Sequence, residues 1–328
     1  MSILGDIRRK AAARRKTVVL PESDDPRTLD ALTTILDQSI ANIILIGKEE
    51  VRSKIKAKSL NDLTIIDPLK FKDTDAIANE FFELRKLKGV TPEGARETMR
   101  EDWMAFGAML VRRGMAHGFV GGANHTTAAT VRAALHCLKI DKTIGVAAGA
   151  FLMEVPGSPY GEKGIFIFAD CGVNPEPNAR QLGGIAVLSA RLFSQLIGKT
   201  PKVAFLSYSS KGSAQGPLVD KVKEALVRAR EMATDILIDG ELQVDSALVP
   251  EVAKIKCGES PVAGQANVLI FPDLNSGNIS YKLTQRLANA RAVGPLLMGF
   301  MEPCSDLSRG CSVDDIVDAV AITAVRDF

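Results

Sequence analysis

The chain is poor in the features that mark several large functional classes. Its five cysteines in 328 residues, Cys137, Cys171, Cys257, Cys304 and Cys311, are an odd and scattered set. No CxxC pair and no Cys/His group at zinc spacing occurs, so reduced, mostly buried thiols are expected, not a disulfide framework or a zinc ribbon. Aromatic residues are 5% of the chain and the formal net charge is +2. Near balance with few aromatics gives no electrostatic or stacking argument for nucleic acid, although local basic clusters can still serve a small polyanionic ligand. No apolar run is long enough for a transmembrane span. Met1 to Lys16 is basic without an apolar core behind it, which argues against a secretory signal and for an ordinary solvated first helix. A cytoplasmic protein without membrane or nucleic-acid partners is expected. There is no GxGxxG after a strand, no GxxxxGK[ST] and no HExxH, so dinucleotide binding, P-loop hydrolysis and zincin chemistry lack their usual sequence support.

What is present is an alternation of buried strands and helices. Thr17-Val18-Val19-Leu20, residues 41–47, Leu63-Thr64-Ile65-Ile66, residues 164–170, Lys202 to Tyr208, residues 236–240 and residues 268–272 read as strands. Helical spacing covers a segment opening near Pro26, then Thr74 to Lys86, Pro92 to Gly114, Asn178 to Ile197, and a segment opening at Pro217. Proline favours the first helical position. The alternation predicts βαβ units and mainly parallel sheets covered by helices. Ligand sites in such folds lie beyond the carboxyl ends of the strands.

The densest cluster of reactive side chains lies near the end, in Asp306-Leu307-Ser308-Arg309-Gly310-Cys311-Ser312-Val313-Asp314-Asp315. A hydroxyl and a guanidinium adjoin on a Gly-bounded turn, and a carboxylate follows in the first turn of a helix. Ser308 can hydrogen-bond a reacting group, Arg309 can hold an oxyanion or a phosphate, and Asp315 can accept a proton. Ser312 to Asp315 also fits a capping box, so Asp315 as a helix cap is the competing reading, and both roles can coexist. Gly121 through Arg132 is a Gly-rich turn entering a Thr-rich helix start, where exposed backbone N–H groups can hold phosphate; a tight loop with capping threonines is the alternative. His125 in that turn is a possible polar lining residue. Ser207 to Gly216 and Asn275 to Tyr281 read as loops that follow a buried strand and precede a helix, and such loops can cradle phosphates through their amides. Lys282 and Arg286 share a helix face. Cys304 and Cys311 flank the signature, which raises the idea that thiol modification there inhibits.

These motifs, with Pro21-Glu22-Ser23, Arg85-Lys86, Asp239-Gly240-Glu241-Leu242-Gln243 and Ala266 to Asn275, resemble in order and spacing those of the phosphotransacetylases (phosphate acetyltransferases) over most of the chain. His117 and Ala129 stand where aspartate is more usual in that family. The resemblance implies an α/β fold of two αβα domains with mainly parallel sheets and an interdomain cleft, similar to isocitrate and isopropylmalate dehydrogenases. It places residues 1–143 and 296–328 in a discontinuous first domain carrying the signature, and 144–295 in a second domain that dimerises. It implies reversible acetyl transfer between acetyl-CoA plus phosphate and coenzyme A plus acetyl phosphate. Coenzyme A is then a substrate; no bound cofactor and no metal are implied. Asp315, Ser308 and Arg309 become the catalytic set; Arg132, Arg85, Thr127, Asn275, Ser276, Gly277 and Lys282 become substrate or coenzyme A contacts. Without the resemblance, Arg85 reads as a solvated helix charge.

The implied chemistry carries an energetic constraint. A thiol near pKa 8.5 and a carboxylate near 4 differ by about 4.5 units, so full proton transfer in water costs about 6 kcal/mol. Either proton transfer is concerted with attack on the acyl carbon, or the site stabilises the thiolate. Two other functions stay open: transfer of a propionyl or butyryl group, because a methylene changes discrimination by only about 1–3 kcal/mol, and a noncatalytic acyl-CoA-sensing module. Retention of Asp315 and of the Ser308-Arg309 pair favours the acetyl-transferring enzyme.

Overall fold

A computed structural model describes residues 2–327. It begins with helix α1 (Ile3–Arg14), which buries Leu4, Ile7 and Ala11, residues at helical spacing. Strand β1 (Thr17–Leu20) follows, then α2 (Pro26–Asp37), with Asp25 as N-cap and proline in its first turn. After β2 (Asn42–Ile46) and β3 (Leu63–Ile66) come α3 (Thr74–Arg85) and a 3-10 turn at Lys86–Lys88. One helix was expected from Pro92 to Gly114; the chain instead forms α4 (Pro92–Glu101) and α5 (Trp103–Arg112). The break is at Asp102, which leaves helical geometry (ψ 89°) and caps α5 by accepting from Ala105 N–H at 3.0 Å. Aspartate favours such a cap because its short carboxylate competes for backbone donors. Next are β4 (Gly118–Gly121) and α6 (Thr127–Cys137).

The chain then builds β5 (Ala148–Glu154), β6 (Ile165–Ala169), α7 (Ala179–Ile197), β7 (Lys202–Leu206), α8 (Pro217–Met232) and β8 (Leu237–Leu242). It continues with α9 (Val244–Leu248), α10 (Pro250–Lys256), β9 (Val268–Ile270), α11 (Leu274–Leu287) and β10 (Arg291–Met298). It ends with β11 (Cys304–Asp306) and α12 (Val313–Val325). Two compact units result: Met1–Ile140 with Phe300–Phe328, and Asp141–Gly299.

In the first unit the strands run in the order β3-β2-β1-β4-β11, with every pair parallel. Asp306 pairs with Gly121 in register, so β11 and β4 end side by side. Helix α12 is the core helix here: Ile316, Val317, Ala319, Val320, Ala321, Ile322 and Ala324 are fully buried. Its one buried acid, Asp318, is met by Arg8 of α1 at 2.6 Å. An unpaired buried carboxylate is costly, so this ion pair fixes where α1 lies on α12.

The second unit orders its strands β10-β5-β6-β9-β7-β8. Strands β6, β9, β7 and β8 are parallel, whereas β5 is antiparallel to both β6 and β10. The sequence pattern showed neither β5 nor β10. Strand β5 is rich in alanine and glycine, a weak strand signal. Pro295 interrupts β10, and the ladder shifts register between Val293 and Leu296, which is where a residue without an N–H is tolerated. The loop expected over Asn275 to Tyr281 is also overturned. Those residues are the first turns of α11, capped by Asp273, which accepts from Ser276 N–H at 2.9 Å.

Close approaches set several glycines. A Cβ on Gly118 would stand 2.5 Å from the Pro303 carbonyl oxygen and 2.6 Å from Thr323 Cγ2. Gly118→Ala is therefore expected to lower unfolding stability by about 1–3 kcal/mol, the usual cost of overpacking; chemical denaturation checks this, and an unchanged midpoint would refute the packing argument.

Candidate active site

Three neighbouring strands of the first unit, β1, β4 and β11, deliver their carboxyl ends to one place. Each runs into a polar turn: Pro21-Glu22-Ser23, Gly122 to Thr126, and Leu307 to Ser312.

Glu22 organises the first two. Its carboxylate is 2% exposed, and Oε2 accepts from the N–H groups of Gly122 and Ala123, both at 2.8 Å. Oε1 accepts from Asn124 N–H at 3.0 Å, His125 N–H at 3.1 Å and His125 Nδ1 at 2.7 Å. Charge-assisted bonds of this kind are stronger than neutral ones. They correct one expectation: the backbone donors from Gly122 to His125 are already occupied by a protein carboxylate, so they are not free to hold a phosphate. Gly122 must be glycine, because its φ is +108° and a Cβ would fall 2.2 Å from Asp306 Oδ1.

Arg27 joins this loop to the signature. Its guanidinium donates to the carbonyl oxygens of Ala123 at 2.5 Å, Arg309 at 2.8 Å and Cys311 at 3.1 Å. Asp25 anchors the same group at 2.7 Å, and this hydrogen bond is the main reason the Asp25 carboxyl lies below its usual range. Thus one arginine, planar and multiply donating, holds two turns in register.

The signature turn closes through Cys311 N–H on the Ser308 carbonyl at 2.8 Å. Ser308 and Arg309 are exposed on it. Ser308 Oγ accepts only a long bond, 3.3 Å, from Gly310 N–H, and the Arg309 guanidinium has no protein partner among the described residues. Asp315 sits in the first turn of α12 and completes a capping box: Oδ2 accepts from Ser312 N–H at 2.8 Å, and Asp315 N–H bonds Ser312 Oγ at 3.2 Å. Its Oδ1 takes no protein donor, so the cap leaves it available to accept another proton. A hydroxyl, a free guanidinium and a half-used carboxylate are thereby set around a helix N-terminus, where the backbone dipole favours negative charge.

Beneath the turn lies Asp306, fully buried. No hydrogen bond of good geometry reaches either of its oxygens, nor the hydroxyl of buried Thr130. Burial pushes the Asp306 carboxyl up to about 6; the Thr127 and Thr130 hydroxyls and the Leu307 N–H face it closely enough to oppose that rise, and neighbouring Glu22 adds to it. Thr127, expected to touch substrate, thus turns toward this carboxylate. The flanking cysteines are not reactive thiols: burial raises Cys304 to about 12 and Cys311 to about 11.

Arg132 and Arg85 belong to the same unit, on α6 and at the end of α3. Arg132 lines a hollow of about 520 Å³ with Ala129, His125 and Trp103, and Arg85 Nε is buried without a partner. A larger hollow of about 620 Å³, lined by Arg15, Lys16 and His117, opens at the amino ends of the strands, away from the signature. His117 bonds the Arg326 carbonyl at 2.6 Å there, and burial lowers its pKa. Asn275, Ser276, Gly277 and Lys282 lie in the second unit on α11. Gly277 lets that helix pass close to Asp170, since a Cβ would be 2.2 Å from the Asp170 carbonyl oxygen, and Lys282 Nζ lies 5.1 Å from the Tyr281 ring. Among the described residues, no group of His, Cys, Asp and Glu is placed to hold a metal, and no helix is long and apolar enough to cross a membrane.

Sequence reasoning did not single out Glu22, Arg27 or Asp306 as functional. The available signal was a charged residue directly after the apolar strand β1, and another closing β11.

A family model described as phosphate acetyl/butaryl transferase matches residues 2–324. The phosphate acetyltransferase of Thermoanaerobacterium thermosaccharolyticum is 50% identical over 327 residues, 99% of this chain and 99% of that protein. A phosphotransacetylase crystal structure from Streptococcus pyogenes is 42% identical with a TM-score of 0.92, covering 99% of this chain and 98% of that one. At 11% identity, a 4-hydroxythreonine-4-phosphate dehydrogenase from Klebsiella pneumoniae shares the fold alone, with a TM-score of 0.51 over 95% of this chain and 100% of that one. Fold and matches define an acyltransferase on a dehydrogenase-like α/β scaffold. The chain belongs to the phosphate acetyl/butaryl transferase family, as its motifs led us to expect.

Asp306 generates a pH test. Its folded pKa of about 6 lies above the ordinary 3.8, so the folded state favours the protonated form. The penalty is absent below about pH 4 and complete above about pH 6, where it amounts to about 3 kcal/mol at 1.36 kcal/mol per unit. Asp306→Asn is expected to match the wild type in unfolding free energy at pH 4 and to exceed it by about 2–3 kcal/mol at pH 7.5. Equal stabilities at both pH values would show that the carboxylate is satisfied.

Proposed function

We propose that the protein catalyses reversible acetyl transfer between acetyl phosphate and coenzyme A. The observation that carries this reading is the signature turn: an unpaired Arg309 and an exposed Ser308 on a turn pinned by Arg27, with Asp315 one oxygen free at the start of α12. Acetyl phosphate brings an anion that Arg309 can hold, and the charge developing on the acyl oxygen meets the guanidinium, the Ser308 hydroxyl and the helix N-terminus. Asp315 takes the proton of the coenzyme A thiol. The sulfur then forms its bond to the acyl carbon as the bond from that carbon to the phosphate oxygen breaks, and phosphate leaves with the electron pair. All three groups act in one ternary complex, and Ser308 is not a nucleophile, since no histidine is placed to activate it.

Coenzyme A is anchored, in this reading, by Arg132, by Arg85 with its buried unpartnered Nε, and by Thr127, with Asn275, Ser276, Gly277 and Lys282 as further contacts. Support for Arg85 is chemical: a guanidinium donor buried without an acceptor is costly until a ligand supplies one. The enzyme works in the cytoplasm as a homodimer formed through the second unit. The exposed row Ile279, Leu283 and Leu287 along α11 is an apolar face of the kind that such contacts cover.

The test is thioester formation from acetyl phosphate and coenzyme A, followed by ultraviolet absorbance, for the wild type and Asp315→Asn. Rapid turnover by the wild type is expected, with the variant's kcat reduced by about 100-fold or more and its KM for coenzyme A little changed. Turnover with butyryl phosphate but not acetyl phosphate would move the assignment to a longer acyl group. A variant that keeps its kcat would remove Asp315 as the base.

A further inference from the structure

Helix α6 presents Ala129, Arg132 and His136 on one face, because residues three and four apart stack along a helix. Ala129 and Arg132 line the hollow that also holds Trp103, the only tryptophan of the chain. His136 continues the row by one turn. Helix α3 packs against α6 and brings Arg85 to the same region. The charged groups that act on His136 are Arg85 from α3, Arg132 from its own helix and Asp102 from the α4–α5 junction. The acid does not neutralise the cluster, since it is a single charge against two arginines and its carboxylate is engaged as the cap of α5. None of Arg85, Arg132 and His136 hydrogen-bonds a protein acceptor through its side chain among the described residues, and Arg85 Nε is buried. A cluster of cationic and imidazole donors without acceptors points to an anion that the ligand supplies. Asp24, Glu101 and Asp102 also line the hollow, so the anion belongs on its arginine side.

We propose that His136 is a third cationic ligand for a phosphate group of coenzyme A, acting beside Arg85 and Arg132. This rests on the placement of coenzyme A at those two arginines proposed above. Without ligand, burial first and then Arg85 and Arg132 press the His136 pKa below its ordinary value, so the free site holds a neutral imidazole at neutral pH. A phosphate seated among the three groups reverses the repulsion, and the imidazole takes up a proton on binding. The sign follows: affinity for coenzyme A rises as pH falls from about 8 to about 6, the range over which a histidine between these states changes charge.

The experiment measures coenzyme A binding by calorimetry at pH 6.5 and 8.0 for the wild type, His136→Asn, His136→Arg and Arg132→Ala. The wild type is expected to bind about 3- to 10-fold more tightly at pH 6.5, since a tenfold change corresponds to one pKa unit. His136→Asn loses that difference, and His136→Arg binds tightly at both pH values. A probe lacking the 3′-phosphate, 3′-dephospho-coenzyme A, identifies the group: loss of the pH difference assigns the monoester and its retention assigns the diphosphate, both within the proposal. If Arg132→Ala weakens binding while His136→Asn keeps wild-type affinity and pH dependence, the role of His136 is overturned and the arginine placement stands. If Arg132→Ala and both His136 variants bind as the wild type does, the placement itself falls.

Discussion

The site depends on one buried carboxylate bonded to a row of backbone donors. Glu22 follows β1, and its two oxygens collect four successive N–H groups from the turn after β4. In low dielectric each such bond is strong, and each donor left unmatched is costly. The turn is therefore held in one conformation before any ligand arrives. Arg27 transmits that order to the signature by bonding carbonyl oxygens of both turns. Ser308 and Arg309 keep their polar ends free because the backbone beneath them, and not their own side chains, is what fixes the turn.

The same device recurs in the second unit. Asp170, 1% exposed, accepts from the N–H groups of Gly149, Gly172, Val173 and Asn174. Glu241, 2% exposed, accepts from Gly212 N–H and the Ser209 hydroxyl, which fixes the turn after β7. In each case a carboxylate at or near the end of a strand replaces the water that a polar turn would otherwise need. Asp306 is the exception. It is as deeply buried as the others but has no comparable donors: no hydrogen bond of good geometry reaches either of its oxygens.

The proposed chemistry asks for a base strong enough to take a thiol proton at a place where positive charge also favours the leaving phosphate. These demands conflict, because a guanidinium that stabilises phosphate also weakens a nearby carboxylate as a base. The capping box eases the conflict by orientation. One Asp315 oxygen is committed to the Ser312 N–H and holds the side chain at the helix start, while the other stays open. Helix α12, buried along most of its length, gives that oxygen a rigid platform.

The alternation of apolar runs and helical spacing determined the αβ layering, because burial on both faces of a parallel sheet requires nearly continuous apolar strands. It also determined the first-turn position of Asp315, since Ser312-Val313-Asp314-Asp315 before an apolar helix face is a local capping signal. Strands β5 and β10 were illegible, because alanine, glycine and proline carry little strand propensity and only pairing with neighbours makes them strands. The first turns of α11 looked like a loop because Asn275, Ser276 and Gly277 are poor helix formers; the Asp273 cap and the close passage of Gly277 over Asp170 decide otherwise. Glu22, Arg27 and Asp306 gained their roles only through tertiary structure. Apart from Asp25, their partners are 96 and more positions away or, for Asp306, packed around it from other elements, and no local pattern reveals that an acid will be buried or what will donate to it.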